Sequence, residues 1–385
     1  MRAARAYLDH NATSPLRPEA REAMLGAMAL AGNASSVHAE GRAARQMIEQ
    51  ARAEVAALVG GDPAHVTFTS GGSEAAATLL APDLCAAAGP GPFRSLVVSA
   101  VEHSCVLAGG RFAPPDVHVC PVDADGRIDC DALSRLLDRV TAPALVAVMA
   151  ANNETGVIQP LDAVAHLCRA RGAALVVDAV QAAGRLPLDM AALGADALFL
   201  SAHKLGGPQG VGAIVRAGDT VSFSPLVRGG GQEGRLRAGT ENLTGIVGFG
   251  AAAAASAAAI DGEMRRLSAL RDWLEAEIVT ISPESRVVGL PAARLANTSL
   301  TVHPGLEGET ALIALDLAGV SVSTGSACAS GKVAPSHVLA AMGLEPRLAR
   351  SALRVSLGWS TQREDVERFV GAFAAHVRKK AARAA

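Results

Sequence analysis

Four short, continuous apolar runs mark the middle of the chain. Strands that are buried on both faces of a parallel sheet have this pattern. Stretches with helical spacing separate the runs, for example residues 131–139 and 160–172. The alternation predicts an α/β fold with a mainly parallel sheet flanked by helices. The four predicted strands are "SLVVSA" (95–100), "ALVAVMA" (144–150), "ALVVDA" (174–179) and "ALFLSA" (197–202).

A different pattern follows a long alanine-rich helical stretch near residues 244–280. It is typical of a second, smaller α/β domain. We predict a large domain over residues 15–257 and a small domain formed by residues 1–14 and 258–385. We expect Thr361 and Glu364 to form a capping box at the start of the last helix. The predicted elements of the small domain are "SRVVGL", "NTSLTV", residues 307–319, a loop at about 321–334, residues 336–342, "ALRVSLG" and a helix from Thr361.

Polar residues follow each of the four central strands. The clusters read "VEHS", "NNETG", "DAVQ" and "SAHK". In open α/β sheets, ligands bind in the crevice at the carboxyl ends of the strands. Four polar clusters at four strand ends therefore predict a single site.

The composition excludes several classes of protein. The 385 residues carry a net charge of -2, so no basic field attracts nucleic acid or a membrane surface. None of the six cysteines forms a C-x-x-C pair, which argues against structural zinc. The first residues, "MRAARAYLD", lack the apolar core of a signal peptide, and we expect no apolar run long enough to cross a bilayer. These features predict a cytoplasmic protein with free thiols.

Lys204 is the first residue that suggests a particular chemistry. The chain has only four lysines, and Lys204 is the one that directly follows a buried strand. A lysine at the edge of a core is costly unless it is paired or has a lowered pKa. One use of such a lysine is a Schiff base with pyridoxal phosphate. Taken alone, a lysine that extends its stem along the strand end is the simpler interpretation.

A pyridoxal phosphate site makes further demands that the sequence can be tested against. The pyridinium nitrogen needs an acidic partner, and Asp178 ends the strand before that of the lysine. The phosphate needs donors at a helix start, and "FTSGGSEAAATLL" (68–80) places Ser73 there. Ser201 and His203 can add donors from another strand end. Each feature has an ordinary alternative, such as a helix cap for Asp178 or a common turn for the glycines.

Other residues suit the ring and an amino acid substrate. His103 can stack on the cofactor ring, and Gln181 can hydrogen-bond the ring oxygen. A substrate carboxylate can be held by Arg354, with a further hydrogen bond from Asn153. Cys328 lies in "VSTGSACASGK", a segment of mostly small and polar residues in which a thiol is not needed for packing. Three of these residues have a structural alternative. His103 could be a buried structural histidine, Gln181 part of a polar helix surface and Arg354 a surface arginine.

Together these segments resemble one family. The chain resembles the cysteine desulfurases of the class V aminotransferase-like group, of the nitrogen-fixation and iron–sulfur-assembly type. The resemblance runs from about residue 7 to residue 358 and keeps the family order of the motifs. They are "YLDHNATSP", "NASSVHAEGRAAR", "FTSGGSEA", "VEHS", "NNETGVIQP", "DAVQAAG", "SAHKLGGPQGVG", "GGGQEGRLRAGTEN", "STGSACAS" and "LRVSLG".

The resemblance implies pyridoxal-phosphate fold type I and a role for each site residue. Lys204 would form the Schiff base, Asp178 would pair with the pyridinium, and Gln181 would contact the ring oxygen. His103 would stack on the ring and carry protons. Asn153 and Arg354 would hold the substrate carboxylate. The implied phosphate ligands are Gly72, Ser73, Ser201, His203 and, from a neighbouring subunit, Thr240.

The resemblance also implies an activity and partners. L-cysteine would become L-alanine, and its sulfur would remain on Cys328 as a persulfide for a sulfur acceptor or an iron–sulfur scaffold protein. Cys328 would thereby touch an iron–sulfur cluster only transiently, so no resident metal is expected. Thr240 would complete the site of the other subunit in a homodimer.

Some residues depart from the family pattern, and other functions stay open. His10, Gln209 and Cys105 have no assigned role. A selenocysteine lyase, an aminotransferase or another pyridoxal phosphate lyase would share the cofactor residues and differ at Cys328. A catalytically silent binding protein of the same fold would lack the lysine, the acid or the nucleophile. A nicotinamide-dependent dehydrogenase is disfavoured, since no G-x-G-x-x-G follows the first strand.

Overall fold

A seven-stranded sheet forms the centre of the protein. The structure is a computed structural model that describes residues 5–86, 92–325 and 336–384. The described residues form twelve strands, seven of which make up this sheet. The strands are β1 (Ala6–Tyr7), β2 (Val66–Thr69), β3 (Ser95–Ser99), β4 (Val117–Cys120), β5 (Ala144–Met149), β6 (Ala174–Asp178), β7 (Ala197–Ser201), β8 (Gly212–Arg216), β9 (Arg286–Val287), β10 (Thr298–Val302), β11 (Val320–Ser321) and β12 (Leu353–Ser356).

The strand order of the large sheet is β2-β8-β7-β6-β5-β3-β4. Neighbours pair in parallel except at β8, which is antiparallel to both β2 and β7. All residues of β3, β5, β6 and β7 are buried, which explains their continuous apolar sequences. The four predicted strands and the mainly parallel α/β architecture are therefore confirmed.

Twelve α-helices surround the strands in the described part of the chain. Helices predicted at residues 131–139, 160–172 and 244–280 are α5, α6 and α8. The bounds are α1 (Pro18–Met28), α2 (Ala39–Leu58), α3 (Gly72–Leu79), α4 (Ser104–Leu107), α5 (Cys130–Leu137), α6 (Leu161–Ala170), α7 (Met190–Leu193), α8 (Leu243–Ile281), α9 (Gly308–Leu317), α10 (His337–Ala341), α11 (Pro346–Ala349) and α12 (Arg363–Ala384).

The two faces of the large sheet bury separate apolar clusters. Val146 and Val148 of β5 belong to one cluster, and Leu145 and Ala147 belong to the other. This division follows from the two-residue period of a strand, which points successive side chains to opposite faces. Both faces are covered by helices, so the polar ends of the strands are what remains accessible.

A second group of strands lies beyond α8. Strands β12, β10 and β9 form an antiparallel sheet, and β1 pairs in parallel with β11. The bridges Asp9–Ser356 and Ser323–Arg354 join these two small sheets. Leu8 near the N-terminus packs in the same apolar cluster as residues of β11, β12 and α12.

The beginning of α12 corrects one sequence prediction. Thr361 and Glu364 do not form a capping box, because α12 starts two residues later, at Arg363. The Thr361 hydroxyl instead accepts a hydrogen bond from the Gly358 N–H at 2.9 Å. The carboxylate of Asp365 accepts from the Gln362 N–H at 2.9 Å.

Helix α8 corrects another expectation. Within the described residues it is the one helix long and apolar enough to cross a membrane, although no such run was expected. Length and composition alone are weak evidence for a membrane span. Helix α8 packs along α1 and α2, and it buries Phe249 in one apolar cluster and Leu274 in another. This packing is that of a core helix.

His10 fills a buried space between the N-terminal segment and the turn after β12. Its Nδ1 lies 3.0 Å from the Ser14 hydroxyl, and its Nε2 lies 3.3 Å from the Thr361 hydroxyl. Burial, together with nearby arginines, lowers the pKa of His10 to about 3, so the imidazole is neutral. A Cβ atom at position 358 would overlap this ring. His10 and Gly358 are therefore complementary in size.

A substitution of Gly358 by alanine should destabilise the protein by about 2 to 3 kcal/mol, since the new methyl group has no space beside His10. The double variant His10→Asn/Gly358→Ala should recover part of the loss, because asparagine is smaller. Thermal unfolding of the variants measures both effects. Gly262→Ala is the control: its Cβ meets nothing within 4 Å in α8, so the melting temperature should rise slightly. Equal destabilisation by Gly358→Ala with and without His10 would contradict this packing.

Candidate active site

A cavity of about 610 Å³ lies at the carboxyl ends of the central strands. It receives residues from the turn after β2, from the ends of β3, β5, β6 and β7, and from β12 of the smaller sheet. Ten of the residues predicted from the sequence line it together. They are Gly72, Ser73, His103, Asn153, Asp178, Gln181, Ser201, His203, Lys204 and Arg354.

Lys204 enters the cavity from the short turn after β7. Its Nζ donates hydrogen bonds to the backbone carbonyls of Asn11, at 2.7 Å, and Ala12, at 2.8 Å. Both carbonyls belong to the segment after β1, so the amine is held by a part of the chain almost two hundred positions away. Carbonyl oxygens are neutral acceptors, and they fix the position of the amine without the charge of a carboxylate.

Asp178 is the last residue of β6, between two parallel neighbours. Its side chain accepts a hydrogen bond from the Val180 N–H at 2.9 Å. Burial raises the pKa of Asp178 to about 6, although the Val180 N–H and the positive charge of Lys204 act in the opposite direction. Near neutral pH the cavity therefore contains a buried carboxylate that a cationic partner would stabilise.

The cavity also has hydrogen-bond donors from the start of α3 and the end of β7. Helix α3 begins at Gly72 and leaves its first backbone N–H groups without partners in the helix. A Cβ at Gly72 would lie 3.2 Å from Val180 Cγ2, so a side chain there would fill the space in front of the helix. Ser201 and His203 line the same cavity from the end of β7. This set of donors suits an anion such as a phosphate.

His103 caps the short helix α4 at the end of β3. Its Nδ1 accepts a hydrogen bond from the Cys105 N–H at 3.3 Å and lies 3.1 Å from the Cys105 sulfur. Burial lowers the pKa of His103, and electrostatic repulsion from Lys204 and His337 lowers it further. The ring is therefore neutral at physiological pH and carries its proton on Nε2. Burial also raises the pKa of the Cys105 thiol to about 12, so Cys105 is not a thiolate.

Arg354 reaches the cavity from β12 of the smaller sheet. Its guanidinium donates to the Asn153 carbonyl at 2.9 Å and to Asp9 Oδ1 at 2.7 Å. Its buried Nε has no hydrogen-bond partner among the described residues. A buried guanidinium with unused donor capacity is suited to an anionic ligand such as a carboxylate.

Two predicted site residues are not part of this cavity. Thr240 is exposed and lines a separate cavity of about 280 Å³. Its predicted contact with a neighbouring subunit stays a prediction. Cys328 lies outside the described residues, and so does its predicted transient contact with an iron–sulfur cluster.

The residues on either side of the 326–335 segment lie at the site. Gly325 lines the main cavity. On the other side, the Ser336 hydroxyl donates to Glu154 at 2.6 Å, and His337 Nε2 lies 2.9 Å from the Glu102 carbonyl. Glu154 and Glu102 neighbour the site residues Asn153 and His103 in sequence.

The described cysteines agree with the prediction of free thiols. Cys85, Cys105, Cys120, Cys130 and Cys168 are free thiols. Within residues 5–86, 92–325 and 336–384, no group of three or more His, Cys, Asp and Glu side chains is placed to hold a metal ion.

Two residues that the sequence did not single out connect the residues of the site. Asn11 links Lys204 to the smaller sheet, because its side chain also donates to Thr298 at 2.9 Å. Arg185 donates to the Lys204 carbonyl at 2.9 Å and to Asn11 Oδ1 at 2.9 Å. The one local signal for Asn11 was the polar stretch "DHNATS" directly after a buried strand.

The chain belongs to the aminotransferase class-V family, whose model matches residues 6–369. This confirms the resemblance drawn from the motifs, and the mixed sheet is that of the family's fold. A protein of Cereibacter sphaeroides named cysteine desulfurase is 44% identical over 95% of this chain and 94% of its own length. An IscS-like cysteine desulfurase of Mycobacterium tuberculosis is 39% identical over 94% and 93%. The crystal structure of a NifS-like protein of Rickettsia africae, 33% identical, matches 97% of this chain and 99% of its own with a TM-score of 0.88.

Proposed function

We propose that this protein is a pyridoxal-phosphate-dependent cysteine desulfurase that converts L-cysteine to L-alanine and leaves the sulfur on Cys328. The observation that carries the proposal is the convergence of Lys204, Asp178 and Arg354 on one cavity from three distant segments. The names of the relatives support the substrate and the reaction. The proposed large and small domains, 15–257 and 1–14 with 258–385, are supported by the apolar cluster that joins Leu8 to the C-terminal elements.

The side chains around the cavity fit pyridoxal phosphate. The donors at the start of α3, with Ser201 and His203, suit the phosphate. The buried Asp178 carboxylate suits a protonated ring nitrogen, whose positive charge would offset the cost of burying it. The Lys204 amine, which lines the same cavity, suits the aldehyde. His103 would lie against the ring, and Gln181 would meet its oxygen.

When bound, pyridoxal phosphate accepts the electron pair that is released as the Cα–H bond of an amino acid breaks. The protein must then hold and move the proton. The Lys204 amine would take it, since it lines the cavity and is held in place by the carbonyls of Asn11 and Ala12. His103 is neutral, and since Nδ1 accepts from the Cys105 N–H it carries its proton on Nε2, the atom that would exchange a proton with the substrate.

Arg354 and Asn153 would orient the substrate. The unpartnered Nε of Arg354 offers a donor to the substrate carboxylate. The Asn153 carbonyl and Asp9 hold the rest of the guanidinium, so its direction is set before substrate binds. This arrangement would suit the carboxylate of an α-amino acid.

Cys328 would take the sulfur as a thiolate. The bond between the substrate Cβ and its sulfur breaks, and a sulfur–sulfur bond to Cys328 forms. The carbon is reduced to the methyl group of alanine as the two sulfurs are oxidised to the persulfide, so no external oxidant or reductant is required. The persulfide then passes to a sulfur acceptor, for which an iron–sulfur scaffold protein is our proposal.

The proposed assembly is a cytoplasmic homodimer. Exposed Thr240 supports it, because Thr240 lies outside the lining of its own chain's main cavity and is accessible to a partner. A dimer would supply the one predicted phosphate ligand that this chain does not place in its own site.

The reaction predicts equal amounts of alanine and of persulfide on Cys328 in the first turnover. Purified protein is mixed with L-cysteine, alanine is quantified, and the labelled persulfide is located by mass spectrometry. Cys328→Ser should form no persulfide and should lower alanine formation at least about a hundredfold, because the acceptor nucleophile is absent. Cys85→Ser, which removes an exposed free thiol outside the lining of the cavity, is the matched control.

Two results would contradict the assignment. Full sulfur transfer by Cys328→Ser would favour a lyase that releases sulfide directly. Turnover of selenocysteine without turnover of cysteine would make the protein a selenocysteine lyase. Sodium borohydride, which should fix the chromophore on Lys204, tests the cofactor independently of the substrate.

A further inference from the structure

Arg185 is a partly buried cation behind Lys204, on the side away from the cavity of the site. It lies in the sequence after β6, seven positions beyond Asp178. Among the described residues it forms no ion pair with a carboxylate within 4.0 Å. Burial and repulsion from Arg354 lower the pKa of Arg185 to about 9, against the opposing effect of Glu263. A charge kept in such a place without an ion pair needs a function or dense hydrogen bonding.

The hydrogen bonds of Arg185 all go to neutral oxygens of the site. Its guanidinium donates to Asn11 Oδ1 at 2.9 Å, to the Lys204 carbonyl at 2.9 Å and to the His10 carbonyl at 3.2 Å. It also donates to the side-chain oxygen of Gln181 in a short contact, and to the Gln181 carbonyl at 3.4 Å. Arg185 therefore contacts the backbone of one site residue and the side chain of another.

These contacts determine how the Gln181 amide is oriented. A guanidinium has five donors and no acceptor, so the atom of the amide that faces it must be the oxygen. The Gln181 NH₂ group then points the other way, and one of its hydrogens is donated to the Asn11 carbonyl at 3.0 Å. Because Gln181 lines the cavity, its second hydrogen is available there.

A hydrogen-bond donor at this point favours an anionic oxygen. With the amide reversed, the Gln181 oxygen would face the cavity and repel such an oxygen. The same reversal would place two donors, the Arg185 guanidinium and the Gln181 NH₂ group, against each other. Arg185 thus makes one of the two amide orientations strongly unfavourable.

We propose that Arg185 is a positioning residue that locks the Gln181 amide with its N–H toward the ring oxygen of the cofactor. The inference rests on the proposed function and deepens it, because it assigns the origin of a donor that recognises an anionic phenolic oxygen. Arg185 itself does not touch the cavity. The titratable groups that interact electrostatically with it are His10, His203, Arg354 and Glu263.

The pH titration of the visible absorption of the lysine-bound cofactor tests the inference. Deprotonation of this chromophore increases the negative charge that the ring oxygen bears, and a donor at that oxygen stabilises the deprotonated form. Arg185→Met should therefore raise the titration midpoint by about one pH unit, in line with the strength of one hydrogen bond to a charged group. Arg185→Lys keeps a cation and a donor, and should restore most of the wild-type midpoint.

A double-mutant cycle separates positioning from simple charge. Gln181→Ala removes the donor, so Arg185→Met should cause little further shift in that background. An undiminished shift in the Gln181→Ala background would show that Arg185 acts through its charge alone, and would overturn the inference. An unchanged midpoint in Arg185→Met with intact Gln181 would overturn it as well.

Two further measurements keep the outcome distinct from a folding defect and from failure of the proposed function. The affinity of the cofactor-free variants for pyridoxal phosphate and their melting temperatures reveal a variant that has not folded, and Arg185→Gln is then the replacement for Arg185→Met. Wild-type protein that binds no pyridoxal phosphate would refute the proposed function. Wild-type protein that titrates, with an Arg185 variant that titrates identically, would refute only the role of Arg185.

Discussion

Lys204→Ala should bind pyridoxal phosphate without a covalent bond and lose at least about 10³-fold of its turnover. Both roles of the amine, the covalent attachment and the proton transfer, depend on the same atom, and proton transfer alone contributes about 10² to 10⁴. The carbonyls of Asn11 and Ala12 that accept from Nζ would be left to water or to an added amine.

The measurement combines turnover with borohydride trapping. Wild-type protein treated with cofactor and borohydride should carry the reduced label on Lys204 alone, and Lys204→Ala should carry none. Lys379→Ala, which removes an exposed lysine from α12, is the matched control and should label as the wild type does. Labelling of Lys204→Ala to the wild-type extent would place the cofactor elsewhere.

Asp178→Asn should have opposite effects on the cofactor-free and the cofactor-bound protein. Asp178 has a pKa of about 6 in the folded state against 3.8 for an unperturbed aspartate. A raised folded-state pKa means that stability is fully present below pH 3.8 and is lost as pH rises through 6, because the folded protein must bury a carboxylate. Asparagine removes that cost, so the cofactor-free variant should be more stable above pH 6 by about 3 kcal/mol.

With the cofactor bound, the sign reverses. Asparagine is neutral and cannot stabilise a protonated ring nitrogen, so turnover should fall at least about a hundredfold and cofactor affinity should decrease. Melting temperatures between pH 5 and pH 8, with and without pyridoxal phosphate, report both effects. Asp189→Asn, at the exposed N-cap of α7, keeps its cap and should change neither. A loss of stability in the cofactor-free Asp178→Asn variant at pH 8 would show that burying the Asp178 carboxylate does not destabilise the folded protein.

Much of the fold could be predicted from the sequence because the central strands are buried on both faces. Burial on both faces requires apolar residues at consecutive positions, and β5, β6 and β7 show this directly. The two-residue strand β1 has no such pattern, and its place beside β11 depends on contacts more than three hundred positions apart. The predicted capping role of Thr361 is wrong for a similar reason. Its hydroxyl accepts a hydrogen bond from the Gly358 N–H and contacts His10 Nε2, and it does not cap the helix that follows.

The candidate site was predictable where a residue type is itself unusual at its position. Lys204 and Asp178 stand at the ends of apolar strands, where charge is unexpected, and both line the cavity. Arg185 gave no such signal, since arginine is common in this chain and the residue follows a turn. Its importance arises from oxygens of Asn11, Gln181 and Lys204 that meet only after folding. The local sequence pattern carries no information on contacts between residues that are distant in the chain.

The segment after β1 is held by contacts with a very distant part of the chain. Asn11 hydrogen-bonds through its N–H to Ser356 Oγ at 3.0 Å, 345 positions away. Contacts of such long sequence separation form slowly during folding. We therefore expect the Asn11 carbonyl that accepts from the Lys204 amine to reach its final position late in folding, after these two distant segments have met.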